Sequence, residues 1–65
     1  MRDNLINQRK DHHYTQGALA EILGITDRQY RRLEAGTSNG SMKIWQQLAK
    51  MFDTTIDHLL EQAED

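Results

Sequence analysis

An all-α fold of five short helices packed as one compact bundle is what this chain predicts, and three observations carry the prediction. Apolar residues recur at three- and four-residue spacing along most of the length, and no stretch alternates apolar and polar residues as a half-buried strand does. Glycines and Ser or Thr residues punctuate those runs where helix ends need them. Sixty-five residues with no cysteine and no proline leave room for one small domain, 1–65, held by a single apolar core.

Each helix has its own start and stop. The first runs from Asp3 to His12 with Leu5, Ile6 and Arg9 on one side, and Tyr14 closes it onto the core. Thr15 is positioned to cap a second helix, Gln16 to Leu23, by accepting a hydrogen bond from a first-turn N–H. Leu19, Ile22 and Leu23 form its expected buried face, and Gly24 ends it. Thr26 caps a third helix, Asp27 to Ala35, whose first-turn carboxylate favours the helix dipole. Gly36 stops that helix, and Thr37 to Gly40 form the one real loop. Ser41 caps a fourth helix that turns Ile44, Trp45, Leu48, Ala49 and Phe52 inward. Thr54 or Thr55 caps a short fifth helix carrying Ile56, Leu59 and Leu60.

Composition excludes several classes of function. Ten acidic residues against eight basic ones, a net charge of -2, do not suit a protein that coats nucleic acid by bulk charge. The local signs are uneven, however: Arg28, Arg31 and Arg32 fall within five residues, while Glu61, Glu64 and Asp65 make a solvated acidic tail. No apolar run approaches the roughly 20 residues of a membrane-spanning helix, and the polar start MRDNLINQRK lacks a signal-peptide core. Together with the missing cysteines, this leads us to expect a cytoplasmic protein. No nucleophile, base and orienting group assemble, so an enzyme is not expected. His12 and His13 are adjacent and diverge on a helix, unlike zinc pairs at i,i+4, so neither a metal nor another cofactor is expected. His58 belongs on the outer face of the last helix, and Trp45, Met51 and Phe52 read as core or interface.

Only Gly24, Ile25 and Thr26 join the second and third helices, the short Gly-containing turn of a helix-turn-helix over about residues 16–35. Ala20 supplies the small side chain where the two helices cross, and Ile25, Tyr30 and Leu33 seal the pair from within. At about 100° per residue, Tyr30, Leu33 and Glu34 gather on one side of the third helix. Arg28 and Arg32 lie opposite, with Arg31 beside them. Like charges four apart destabilise a helix by about 0.2–0.5 kcal/mol, a conflict that an anionic partner removes. Arginine can present two donors to a phosphate or to the O6 and N7 edge of guanine. The plainer alternative is a solvated face on which Asp27 and Arg31 form an i,i+4 ion pair.

The stretch YTQGALAEILGITDRQYRRLEAG followed by SMKIWQQLAKMFDTTIDHLL, Tyr14 to Leu60, resembles the Cro/repressor-type helix-turn-helix family, also called the Xre family. The resemblance implies the lambda-repressor-like five-helix fold and sequence-specific binding of double-stranded DNA by a transcriptional regulator, a repressor in the leading reading. It implies roles by position. Gln16 matches a phosphate-contacting glutamine; Thr26, Asp27, Arg28 and Arg32 match positions that reach base edges; Arg31 can reach a base or a phosphate. Asn39, Ser41 and Lys43 match a second backbone-contacting region, and Arg9 with Glu34 match a structural ion pair. A homodimer is implied, formed off DNA or only on it, with residues near Thr54 to His58 as its contact. The chain departs from the pattern at Tyr30, where a branched aliphatic is usual, and at Gln8 and His13, where Leu and Gly are common. It departs again at Gly40, in place of a frequent proline, which is expected to loosen the loop. Asp27 is unusual near phosphate; it either accepts from cytosine N4 or holds Arg31. The rival reading is a protein-interaction module of the same fold: an antitoxin, anti-repressor or adaptor.

Overall fold

The computed structural model describes residues 1–62. Glu64 and Asp65 of the acidic tail lie outside the described residues. Five helices follow one another: α1 (Asp3–Asp11), α2 (Gln16–Leu23), α3 (Asp27–Ala35), α4 (Met42–Phe52) and α5 (Ile56–Leu60). There is no strand among the described residues. The helices enclose a core of Leu5, Leu19, Ala20, Tyr30, Leu33, Trp45, Leu48, Phe52 and Leu59, each at most 3% exposed. Every leucine in that set contributes about 1.5–3 kcal/mol by leaving water.

Short-range chemistry accounts for most helix ends. The hydroxyls of Thr15, Thr26, Ser41 and Thr55 accept from the N–H groups of Ala18, Gln29, Ile44 and His58, so Thr55 rather than Thr54 starts α5. Thr26 also donates its own N–H to Gln29 Oε1, a reciprocal capping box. The expected end of α1 moves back by one residue: His12 is its C-cap, and the ring Nδ1 bonds the Gln8 carbonyl at 2.8 Å. His13 then takes a left-handed φ of 63°, and the chain reverses into Tyr14.

Ile22 does not join the core; it is 46% exposed. The buried residues of α2 are Leu19 and Ala20, with Gln16 and Leu23 half-buried beside them, and Ile22 projects about 110° from the centre of that arc at 100° per residue. Its three-residue spacing from Leu19 alone did not place it on that arc, which extends instead toward Ala20. Gly24 supplies the turn between the two helices with φ 73°, and the N–H of Ile25 reaches back to the Ala20 carbonyl at 3.0 Å. α1 packs on α5 and on α3, and α5 closes against α4. Asn4 strengthens the first of these contacts by donating to the His58 carbonyl at 2.9 Å.

Candidate nucleic-acid interface

α3 has two chemically different faces. Inward, Tyr30, Leu33 and Glu34 are buried. Outward, Arg28, Arg31, Arg32 and the small Ala35 are exposed, flanked by Asp27 and Gln29, which are exposed as well. None of the three arginines forms an ion pair among the described residues; the one salt bridge there joins Arg9 to Glu34. The ion pair envisaged between Asp27 and Arg31 is therefore not formed. Asp27 turns instead toward the first turn of α2, where its carboxylate oxygens lie 3.6 and 3.7 Å from the position a Cβ on Gly17 would take.

The buried side of α3 is held by one carboxylate serving two donors. Arg9 Nε donates to Glu34 Oε2 at 2.7 Å, and Gln16 Nε2 donates to Glu34 Oε1 at 2.9 Å. Arg9 also donates through Nη1 to the Tyr14 carbonyl at 2.9 Å. Gln16 is thus half-buried and tethered to α3, with one amide hydrogen still able to reach outward from the start of α2. Tyr30 fills the aliphatic position completely, yet its hydroxyl has no hydrogen-bond partner among the described residues. Burial, and then the neighbouring Glu34 carboxylate, push this phenol well above its ordinary value.

The loop after α3 is fastened, contrary to the looseness expected of Gly40. Gly40 has φ 59°, and a Cβ there would stand 2.8 Å from Leu33 Cδ2, so glycine lets the loop lie on the core. Trp45 Nε1 donates to the Asn39 carbonyl. Asn39, Ser41 and Lys43 all remain exposed on this loop and the first turn of α4. Ser41 Oγ is occupied as the α4 cap, as Thr26 Oγ1 is for α3, and each hydroxyl hydrogen remains available.

No sequence pattern marks what Arg2 does. It is 2% exposed, and its guanidinium lies 5.1 Å from the centroid of Trp45. An arginine next to the first residue reads as a solvated end; its partners are 31 to 58 positions away, beyond any local pattern.

No helix among the described residues is long and apolar enough to cross a membrane, and no group of His, Cys, Asp or Glu there could hold a metal ion.

With this geometry in view, the comparisons agree on the class. A family model described as helix-turn-helix matches residues 5–59, and the chain belongs to that family, in its Cro/repressor or Xre branch. Over 58 residues it is 36% identical to the HTH-type transcriptional regulator AnsR of Bacillus subtilis (strain 168), an alignment covering 89% of this chain and 50% of that protein. The chain thus spans about half the length of the curated relative it matches. No solved structure matches it.

Proposed function

We propose that this domain is a sequence-specific reader of double-stranded DNA in a transcriptional regulator, acting as a repressor, with α3 in the major groove. The observation that carries the reading is the exposed face of α3, where Arg28, Arg31 and Arg32 stand without acidic partners around the small Ala35. That face belongs to the helix that a helix-turn-helix presents to base edges. Membership of the family and the printed name of the relative support the same reading.

In this arrangement Arg28 and Arg32 pair with guanine or with phosphate, and Arg31 takes whichever of the two it reaches. Asp27, free of Arg31, accepts from the exocyclic amine of cytosine and rejects phosphate by charge. Thr26 completes the base-facing set. Gln16, at the start of α2, clamps one flank of the backbone, and Asn39, Ser41 and Lys43 clamp the other. The domain measures 30 × 23 × 22 Å, comparable with the roughly 34–36 Å between half-sites one helical turn apart. Two copies on adjacent half-sites therefore meet, with Thr54 to His58 as the proposed contact.

The test is selection of bound duplexes from a random pool, followed by affinity of the winner at two salt concentrations. A near-palindromic consensus whose binding weakens steeply with salt supports a dimeric operator reader. Failure to enrich any sequence, with weak binding at both salts, sinks it in favour of a protein-interaction module.

A further inference from the structure

We infer that Arg2 is a positioning residue that sets which end of the Asn39 amide faces the DNA backbone. The inference rests on the DNA-binding reading above and adds a residue that lies outside the stretch 5–59 matched by the family model. The Arg2 guanidinium reaches three parts of the fold at once. Nη1 donates to the carbonyls of Leu33 and Ser38, both at 2.7 Å; Nε donates to the Leu60 carbonyl at 3.3 Å; Nη2 donates to Asn39 Oδ1 at 2.9 Å. The backbone N–H of Arg2 adds a bond to the Glu34 carbonyl at 2.8 Å.

Every acceptor in this set is neutral. Among the described residues no carboxylate answers the charge, so the positive end rests on the carbonyls that close α3 and α5, where helix dipoles are negative. The consequence for the loop is chemical. An asparagine amide has an acceptor end and a donor end of nearly equal size, and a solvated one presents either to a partner. Arginine has donors only, so it holds Oδ1 of Asn39 inward and leaves the Nδ2 hydrogens pointing away from the guanidinium. Phosphate accepts hydrogen bonds and repels a carbonyl oxygen. Arg2 thereby selects the orientation that binds the backbone, while its bond to the Ser38 carbonyl holds the main chain of the loop in place.

A structural staple alone predicts loss of stability; the positioning role predicts a loss of DNA affinity in the folded protein as well. The experiment compares the unaltered chain with Arg2→Gln, Arg2→Lys, Asn39→Ala, Asn39→Asp and the double variant Arg2→Gln/Asn39→Ala. Each binds its selected duplex at 50 and 200 mM salt, at a temperature where circular dichroism finds it fully helical. Asparagine is neutral and releases no counterion, so losing its bond to phosphate leaves the salt slope alone and weakens binding about 10-fold at either salt. Arg2→Gln and Asn39→Ala are each expected to show that loss, Arg2→Lys to recover part of it, and the double variant to lose no more than Asn39→Ala alone. Asn39→Asp carries the test without disturbing Arg2: it keeps an acceptor for Nη2, resists urea at least as well as the unaltered chain, and still loses the contact.

An unchanged affinity in folded Arg2→Gln, additive losses in the double variant, or full binding by Asn39→Asp overturns the inference while leaving the DNA-binding reading in place. Absence of any salt-dependent binding by the unaltered chain overturns both.

Discussion

Arg2 and Arg9, bonded within the fold, and Arg28, Arg31 and Arg32, exposed on α3, are the same side chain put to opposite uses. Arg9 meets a carboxylate that is almost wholly buried, and Arg2 meets four oxygens and an indole face. The three on α3 meet nothing among the described residues and remain exposed. The difference teaches where the free energy of each charge is realised. Arg2 and Arg9 tie α1 and the N-terminus to α3 within the fold; the outer three keep their donors for a partner, at the cost of mutual repulsion along one helix.

The largest expected effect breaks the inner half of this comparison. Glu34→Ala leaves Arg9 only 12% exposed and without its carboxylate, and also frees Gln16, so stability to urea is expected to fall by about 3–5 kcal/mol. In a domain of this size that leaves a large unfolded fraction, seen as a loss of helical signal at ambient temperature.

The outer half responds differently. Arg32→Ala is expected to weaken binding by about 1–3 kcal/mol at the selected duplex and to relax preference at one base pair, with stability changed by less than about 0.5 kcal/mol. Gln16→Ala, by contrast, weakens binding to all duplexes alike, measured on a panel of single-base variants. Identical patterns from the two substitutions would refute the division between base and phosphate contacts.

Tyr30 belongs to the inner face. Removing its unpartnered hydroxyl in Tyr30→Phe is expected to raise stability by about 1 kcal/mol, or roughly 4–8 °C in melting temperature. A lower melting temperature would mean that the hydroxyl is bonded to Glu34 after all. The same group makes an alkaline prediction. Its folded-state pKa lies above its unfolded value, so the unfolded chain releases the proton first and stability declines as pH rises past about 10. The decline should be shallower in Tyr30→Phe. The smallest effect sharpens the comparison: Arg28→Glu converts a repulsive i,i+4 pair with Arg32 into an attractive one. Thermal melts are expected to show a gain of a few tenths of a kcal/mol while DNA binding is lost.

Much of the fold was legible because its determinants are local. Thr15, Thr26 and Ser41 cap helices from within three residues of the N–H groups they serve, and Gly24 and Gly36 end helices with positive φ. The separation of Tyr30, Leu33 and Glu34 from the arginines follows from helical pitch alone. Where local spacing was ambiguous, it misled: Ile22 matched the period of Leu19 yet lies outside the buried arc of α2, and Asp27 stood four residues from Arg31 yet turns to Gly17. Spacing states which groups can meet, and competing neighbours from other helices decide which do.

The chain by itself determined five helices, their caps, the turn at Gly24 and the outward arginine face of α3, because each depends on residues within one or two helical turns. Only the tertiary structure decided that Glu34 joins Arg9 and Gln16, that Gly40 lies against Leu33, and that Arg2 is drawn inside to hold Leu33, Ser38, Asn39 and Leu60. A buried polar group must find acceptors wherever packing brings them, and those acceptors come from segments that no local pattern relates.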